Sequence, residues 1–434
     1  MIKKISQRAL ALLLALIIVS LNLTSCSFLL NNDNNDSEID PNSVAARLDN
    51  EADVPDFNKG LFYAIETCFE TYYYTDLPDN ETLTSGTKNA FFEFCAETDK
   101  TSPDEVTYAL IDCYIYAIGD KYAFYRSADE YEEYSSDMSG SFVGIGVAVL
   151  RNDLEKTIFV TSVEPNSPAS NAGILPDDYI VAVGGKRVTD IGTLDAINAI
   201  KGEEGTDVSV TVKRGENEIT LTMTRARITE TTVSYSVIDG TNFGYVKITS
   251  FKSNTASQFL NAIRALEEKN VSGIIFDLRK NPGGYLSAVS SMLSFLVPTG
   301  TPIASFSNEK EPIFATNGDI HETDDHVLYV PSVVICDGTS ASGSELFAAA
   351  MRDYNDMGIL KSTVVGQTTY KKGIMQSTIP FSDGSTLTLT TALYNPPLGQ
   401  NFNGVGVSPD VFVADGEDYM KTAIEELTKL TTNN

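Results

Sequence analysis

Residues 337–355 read DGTSASGSELFAAAMRDYN, and residues 364–376 read VVGQTTYKKGIMQ. The first stretch follows PSVVIC, a β-branched apolar run that predicts a buried strand. A turn of small residues carrying Ser340, Ser342 and Ser344 then opens onto a helix-spaced run. Ser342 and Glu345 also have capping-box spacing, which by itself would do no more than start that helix. Further on, Lys371, Lys372 and Gln376 fall at the start of a strand-like run. The chain has two histidines, His321 and His326, both in an acidic, loop-like segment. A serine nucleophile here would therefore look to lysine rather than imidazole for its base.

Working outward, strand and helix patterns alternate through the last 200 residues or so. FGYVKITSF (243–251), a helix over 255–268, GIIFDLR (273–279) and a helix after Gly284 precede the serine turn. This order predicts an α/β core over residues 229–434 with a largely buried sheet. TVVG (363–366), IMQSTIPF (374–381) and TLTLTTALY (386–394) read as the tail of that sheet, and 307–328 as a polar surface loop or hairpin. The C-terminal tail is expected to pack back on the core or on the helical region. Asp277 and Arg279 read as a structural pair near the sheet end.

Upstream, GLFYAIETCFETYYY, TKNAFFEFCAE and SPDEVTYALIDCYIYAI predict a helical region over 54–138, with Ser102 and Pro103 as start signals. From Ser139 the period changes to that of short strands: SFVGIGVAVLR, KTIFVTSVE, YIVAVGG, DVSVTVKR and EITLTMTRA. Five strands and two helices over 139–228 make one small domain. It resembles a PDZ domain through Phe142-Val143-Gly144-Ile145-Gly146, Ser167-Pro168-Ala169 with Ala172-Gly173, and Asp177-Asp178-Tyr179-Ile180. Residues 142–146 are the candidate carboxylate- and peptide-binding stretch. A glycine loop presents backbone N–H groups to an anion, and the neighbouring strand edge pairs with an extended peptide.

Composition narrows the rest. With 59 acidic and 31 basic residues the net charge is -28, which excludes nucleic acid as a partner by repulsion. Lys3, Lys4 and Arg8 precede an apolar run, Ala9–Val19, too short to span a bilayer comfortably. It ends at Leu23-Thr24-Ser25-Cys26, which resembles a bacterial lipobox: residues 1–25 would be a lipoprotein signal peptide and Cys26 the lipidated N-terminus. The Asn/Asp-rich stretch that follows predicts a flexible tether over 26–53. The mature protein would thus be exported and lipid-anchored at the outer face of the cytoplasmic membrane. Cys68, Cys95, Cys113 and Cys336 allow three pairings or read as buried thiols. No CxxC or Cys/His cluster suggests a metal, and no cofactor is required.

Together the motifs resemble the C-terminal processing peptidases, or tail-specific proteases, across residues 55–415. The marks are Ile118-Gly119-Asp120-Lys121-Tyr122 before Glu130-Tyr131, SGSFVGIGV, FGYVKITSF, Asp277-Leu278-Arg279-Lys280-Asn281-Pro282-Gly283-Gly284, SASGSE, KKGIMQ and GVGVSPD. The resemblance implies an α+β multidomain chain: an N-terminal helical region, a PDZ domain, and an α/β protease core of ClpP/crotonase-like type. It implies Ser342, the middle serine of its run, as nucleophile. The KGxxQ register selects Lys372 as base, with Gln376 to hold its amine. It also implies an oxyanion hole from the N–H of Gly343 and of Gly283 or Gly284. Gly343 departs from the family's usual alanine, and Lys121 from a proline whose effect is expected in the helical region alone. Burial among neighbours such as Ile374 and Met375 is expected to keep Lys372 neutral. The implied function is a serine endopeptidase that takes protein substrates by their C-termini; its oligomeric state is left open. The alternative is a catalytically inactive PDZ scaffold. A penicillin-recognising hydrolase using Ser307-x-x-Lys310 has no KTG triad behind it.

Overall fold

The computed structural model describes residues 39–94, 102–308, 311–316 and 328–432. The expected leader, Cys26, the first part of the tether, Cys95, Lys310, His321 and His326 lie outside the described residues.

The core is a six-stranded sheet in the order Val233–Val237, Phe243–Ile248, Gly273–Asp277, Ser332–Cys336, Ser362–Gly366, Val411–Phe412. The first strand is antiparallel to its neighbour and the rest are parallel. All residues of Gly273–Asp277 and Ser332–Cys336 are buried, as expected of strands covered on both faces. Helices Thr255–Glu268, Leu286–Leu296 and Gly343–Asp356 cover one face, where Phe259, Phe276 and Phe347 meet at ring separations of 5.6–6.2 Å. The C-terminal helix Tyr419–Thr432 covers the other with Ala423 and Leu427. A Cβ on Gly273 would stand 2.8 Å from Leu427, so that close approach needs the glycine.

The strands Ile374–Pro380 and Thr386–Asn395 do not continue this sheet. They form a hairpin in a separate five-stranded antiparallel sheet with Phe124–Arg126, Pro302–Phe306 and Ile313–Phe314. The reason lies in their apolar face. Ile379, Phe381, Leu387 and Leu389 pack among Phe62, Phe69, Leu110 and Tyr114 of the helices Lys59–Tyr72 and Pro103–Ile118. The helical region and the α/β core therefore share one hydrophobic cluster. Pro103–Ile118 is bounded as its sequence predicts, by a Ser102/Glu105 capping box and a left-handed Gly119.

The expected tether is shorter than 26–53. Residues Val44–Asp49 form a helix whose Val44, Ala45 and Leu48 are fully buried. The buried Glu66 carboxylate accepts the Val44 and Ala45 N–H groups at 2.7 and 3.1 Å. A single apolar turn after the polar run is enough to dock when a carboxylate caps it.

The PDZ-like unit has its own cluster around Ile145, Ile158, Ile180 and Val210. Its strands run Val147–Asn152, Thr157–Val163, Tyr179–Val183, Asp207–Arg214, Asn217–Thr224 in sheet order. A two-stranded ribbon, Ser141–Gly144 with Ala226–Thr229, joins it to the rest. One loop of the core holds both chains of that connection. Lys252 Nζ contacts Asp137 at 2.8 Å and Glu230 at 2.7 Å. Burial opposes its charge, but those carboxylates outweigh it and raise its pKa. Asn254 Nδ2 donates to the carbonyls of Gly140 and Glu230 at 2.8 and 3.0 Å. Gly140 sits at φ +69°, and a Cβ there would stand 2.3 Å from the Asn254 side chain. Gly140→Ala should therefore cost about 1–3 kcal/mol of stability and speed proteolytic nicking of the ribbon. Thermal unfolding with limited proteolysis checks this; a variant as stable and resistant as the parent contradicts it.

Candidate active site

The serine turn is stitched to the loop after strand Gly273–Asp277. Ser340 Oγ donates to the Leu278 carbonyl and Ser344 Oγ to the Asn281 carbonyl, each at 2.9 Å. Both serines are fully buried. Ser342 is half-buried and its hydroxyl makes no cap bond, so of the three it alone keeps an Oγ available. Its backbone has φ 53° and ψ -111°, a strained conformation for a residue with a side chain. The Asp277–Arg279 pair lies next door at 2.6 Å, with Lys247 at 3.1 Å and the Tyr245 hydroxyl at 2.7 Å. Burial raises the Asp277 pKa, yet these three partners hold it below the usual carboxylate range.

The strain at Ser342 is held by Glu345, which is fully buried. Its Oε2 accepts the N–H of Ser342 at 2.8 Å and of Lys372 at 2.7 Å. Its Oε1 accepts the Lys371 N–H at 2.7 Å and the Thr369 hydroxyl at 2.5 Å. The capping-box spacing thus has a second purpose: the carboxylate that closes the helix start also fixes the lysine segment. Lys371 has φ 84° and an exposed side chain, which turns the following residue inward.

Lys372 Nζ donates to Gln376 Oε1 at 2.8 Å. Gln376 Nε2 in turn donates to the Tyr122 carbonyl at 2.6 Å, and the Tyr122 ring centroid lies 4.7 Å from Nζ. Burial pushes the lysine pKa down from 10.5, against the attraction of Asp120 and Glu345. Among the described residues no hydrogen bond joins Nζ to Ser342 Oγ. The hydroxyl faces Tyr394 Oη at 3.5 Å instead.

Two backbone donors stand beside Ser342. Gly343, first in its helix, has no intrahelical partner for its N–H. A Cβ on Gly283 would stand 2.9 Å from Ser342 Cβ, and on Gly284 2.2 Å from the Phe251 carbonyl; both have positive φ. Gly283 N–H is engaged by Asn281 Oδ1 at 2.9 Å, whereas Gly284 N–H has no partner among the described residues. Of the two glycines, Gly283 is the one packed against Ser342, and Gly284 the one whose N–H is not engaged. Ser307, the rival nucleophile, has its Oγ on the Leu393 N–H at 2.9 Å, at a sheet edge.

In the PDZ-like unit the stretch 142–146 divides. Phe142, Val143 and Gly144 pair with Ile228, Arg227 and Ala226 in the ribbon. Only Ile145 and Gly146 form the loop, with Gly146 at φ 84° against Ser167. The ribbon takes Phe142 and Val143 because antiparallel pairing satisfies their backbone groups. Strand Val147–Asn152 follows with one edge unpaired among the described residues, and a cavity of about 340 Å³ opens between its Arg151 end and Gly192–Asp195.

Four participants were missed in the sequence: Glu345 beyond capping, Thr369, Tyr394, and the Asp120–Tyr122 segment. Lys121 was expected to concern the helices alone, yet its neighbour Tyr122 holds Gln376, and Asp120 Oδ2 accepts the Thr390 N–H at 3.0 Å. The one available signal was the motif Ile118–Tyr122 itself, 250 residues upstream of its partner.

Residues 242–413 match the model of peptidase family S41, and residues 159–214 a PDZ domain model. A probable CtpA-like serine protease of Staphylococcus haemolyticus (strain JCSC1435) is 34% identical over 317 residues, 73% of this chain and 61% of the relative. One of Staphylococcus aureus (strain bovine RF122 / ET3-1) is 32% identical over 332 residues, 76% and 64% respectively. The chain thus spans less than two thirds of the length of these relatives. The crystal structure of a putative S41 protease from Bacteroides fragilis NCTC 9343 shares the fold, with TM-score 0.53 and 14% identity over 85% of this chain and 97% of that one.

Two outcomes follow from this geometry. Glu345→Gln replaces a four-fold acceptor with a group that carries donors of its own. It should lower stability by about 2–4 kcal/mol and hydrolytic rate about 100-fold through misplacement; denaturant unfolding and an activity assay read both. With Lys372 as a general base, which acts only when neutral, activity should rise with pH along an acid limb lying below 10.5. Gln376→Glu adds a negative charge that favours the ammonium and should move that limb to higher pH; a pH–rate profile with an unmoved limb contradicts the assignment of Lys372.

Proposed function

The chain carries a peptidase family S41 domain and a PDZ domain, and on that premise we propose that it is a serine endopeptidase acting on protein substrates taken by their C-termini. The observation that carries this is the division of labour among three adjacent serines. Two spend their hydroxyls on backbone carbonyls, and Ser342 keeps its own beside a lysine that burial disfavours as a cation.

In this reading Ser342 Oγ attacks the scissile carbonyl while its proton passes to Lys372 Nζ. The developing oxyanion is met by the N–H groups of Gly343 and Gly284, the former at the positive end of a helix. Lys372 returns the proton to the leaving amine, and water then releases the acyl group by the same route. Gln376 keeps the amine oriented between turnovers. The Ile145–Gly146 loop supplies an anion-binding nest for the terminal carboxylate, and the open edge of Val147–Asn152 a strand to pair with. We further read the protein as exported and held at a membrane surface by lipid on Cys26. That reading is supported by the basic start, the short apolar run and Leu23–Cys26.

A substrate polypeptide with a free C-terminus, assayed beside the same polypeptide C-terminally amidated, tests both halves. Cleavage by the unaltered chain should vanish in Ser342→Ala and fall severalfold or more on amidation. Equal turnover in Ser342→Ala sinks the peptidase; indifference to amidation sinks recognition through the tail.

A further inference from the structure

We propose that Tyr394 is a catalytic residue of this site: its hydroxyl donates a hydrogen bond to Ser342 Oγ and supports that oxygen while its proton leaves for Lys372. The inference rests on the serine-hydrolase reading above and deepens it.

Tyr394 lies on the strand Thr386–Asn395, opposite Phe306, and is 3% exposed. Its place is fixed on all sides. The backbone N–H reaches the Gly373 carbonyl at 3.3 Å, Asn401 Nδ2 reaches its carbonyl at 2.7 Å, and Phe402 packs edge-on to the ring at 5.5 Å. The one hydroxyl proton has two acceptors within reach, Ser342 Oγ at 3.5 Å and the Lys372 carbonyl at 3.3 Å. One phenol thus touches the nucleophile and the main chain of the base. Phenylalanine would fill the same space. Burying a hydroxyl is unfavourable unless it is hydrogen-bonded, and here every acceptor belongs to the reacting pair. Burial drives the phenol pKa far above its ordinary value, so it stays a neutral donor at any working pH.

The step balances without further reagents. The Ser342 O–H bond breaks and its proton goes to Lys372 Nζ, while the Oγ–carbon bond forms and the carbonyl electron pair moves onto oxygen. Lys372 then protonates the amine as the carbon–nitrogen bond breaks. Tyr394 keeps its own proton throughout. Catalytic hydrogen bonds that are long in an empty site shorten as charge develops, so the 3.5 Å contact is the resting form of a stronger one.

The test is the rate at which a fluorophosphonate acquires Ser342 in the full chain, followed against pH. The probe isolates attack from amine departure. Tyr394→Phe should label about 10- to 100-fold more slowly on the plateau, with the acid limb and the melting temperature unmoved, and with peptide hydrolysis losing kcat rather than KM. Labelling as fast as the unaltered chain overturns the proposal. So does a loss accompanied by a displaced limb or a lowered melting temperature, which marks a packing role. Failure of the unaltered chain to label, where Ser342→Ala is equally inert, overturns the hydrolase reading itself.

Discussion

One buried carboxylate organises the site. Glu345 gathers four hydrogen bonds from four residues on two chain segments, and one of them comes from the strained Ser342 itself. A charge this deep is tolerated only where its acceptor sites are filled. That requirement makes it a positioning device: neither the serine turn nor the lysine segment can move without uncovering it. The strain at Ser342 is supported by the same bonds, which lets its Oγ stand clear of the helix it begins.

A second constraint is the shared cluster between the helical region and the hairpin that follows Lys372. Ile379, Leu387 and Leu389 point into the helices, so Lys372 and Gln376 hang from a sheet whose opposite face is anchored in another part of the chain. Asp120 and Tyr122, at the end of the last long helix, then complete the base's surroundings directly. The helical region is part of the candidate site's architecture. The loop Phe251–Asn254 has a comparable place on the other side. Phe251 pairs with the main chain at Gly283 and Tyr285 at 3.0 and 2.7 Å, and Lys252 and Asn254 hold the ribbon that carries the PDZ-like unit.

Much of this was legible beforehand where the signal is local. The unbroken apolar runs GIIFD and SVVIC announce strands covered on both faces, and Ser102–Glu105 announces a helix start. The register of the family motif selects Lys372 over Lys371, and in the structure Lys371 has a positive φ and an exposed side chain, whereas Lys372 is half-buried. What misled was equally local. The alternating run Ile374–Asn395 reads as more of the same sheet, because a strand pattern carries no label for the layer that will cover it. The start of the folded region was set late because a six-residue helix has too little periodicity to stand out, and it docks through Glu66, which lies 17 residues beyond that helix.

By itself the sequence determined the fold class, the order of the units, and a short list of candidate groups for the site, since these follow from hydrophobic period, turn chemistry and collinear motifs. Only the tertiary structure decided which serine keeps a hydroxyl off the backbone, which glycine packs against it, and that Tyr122, Glu345 and Tyr394 belong to the same site. Those are questions of which polar group satisfies which. Hydrogen bonds to buried groups are exchanged among residues as far as 270 positions apart, and that pairing exists nowhere in the chain until it is folded.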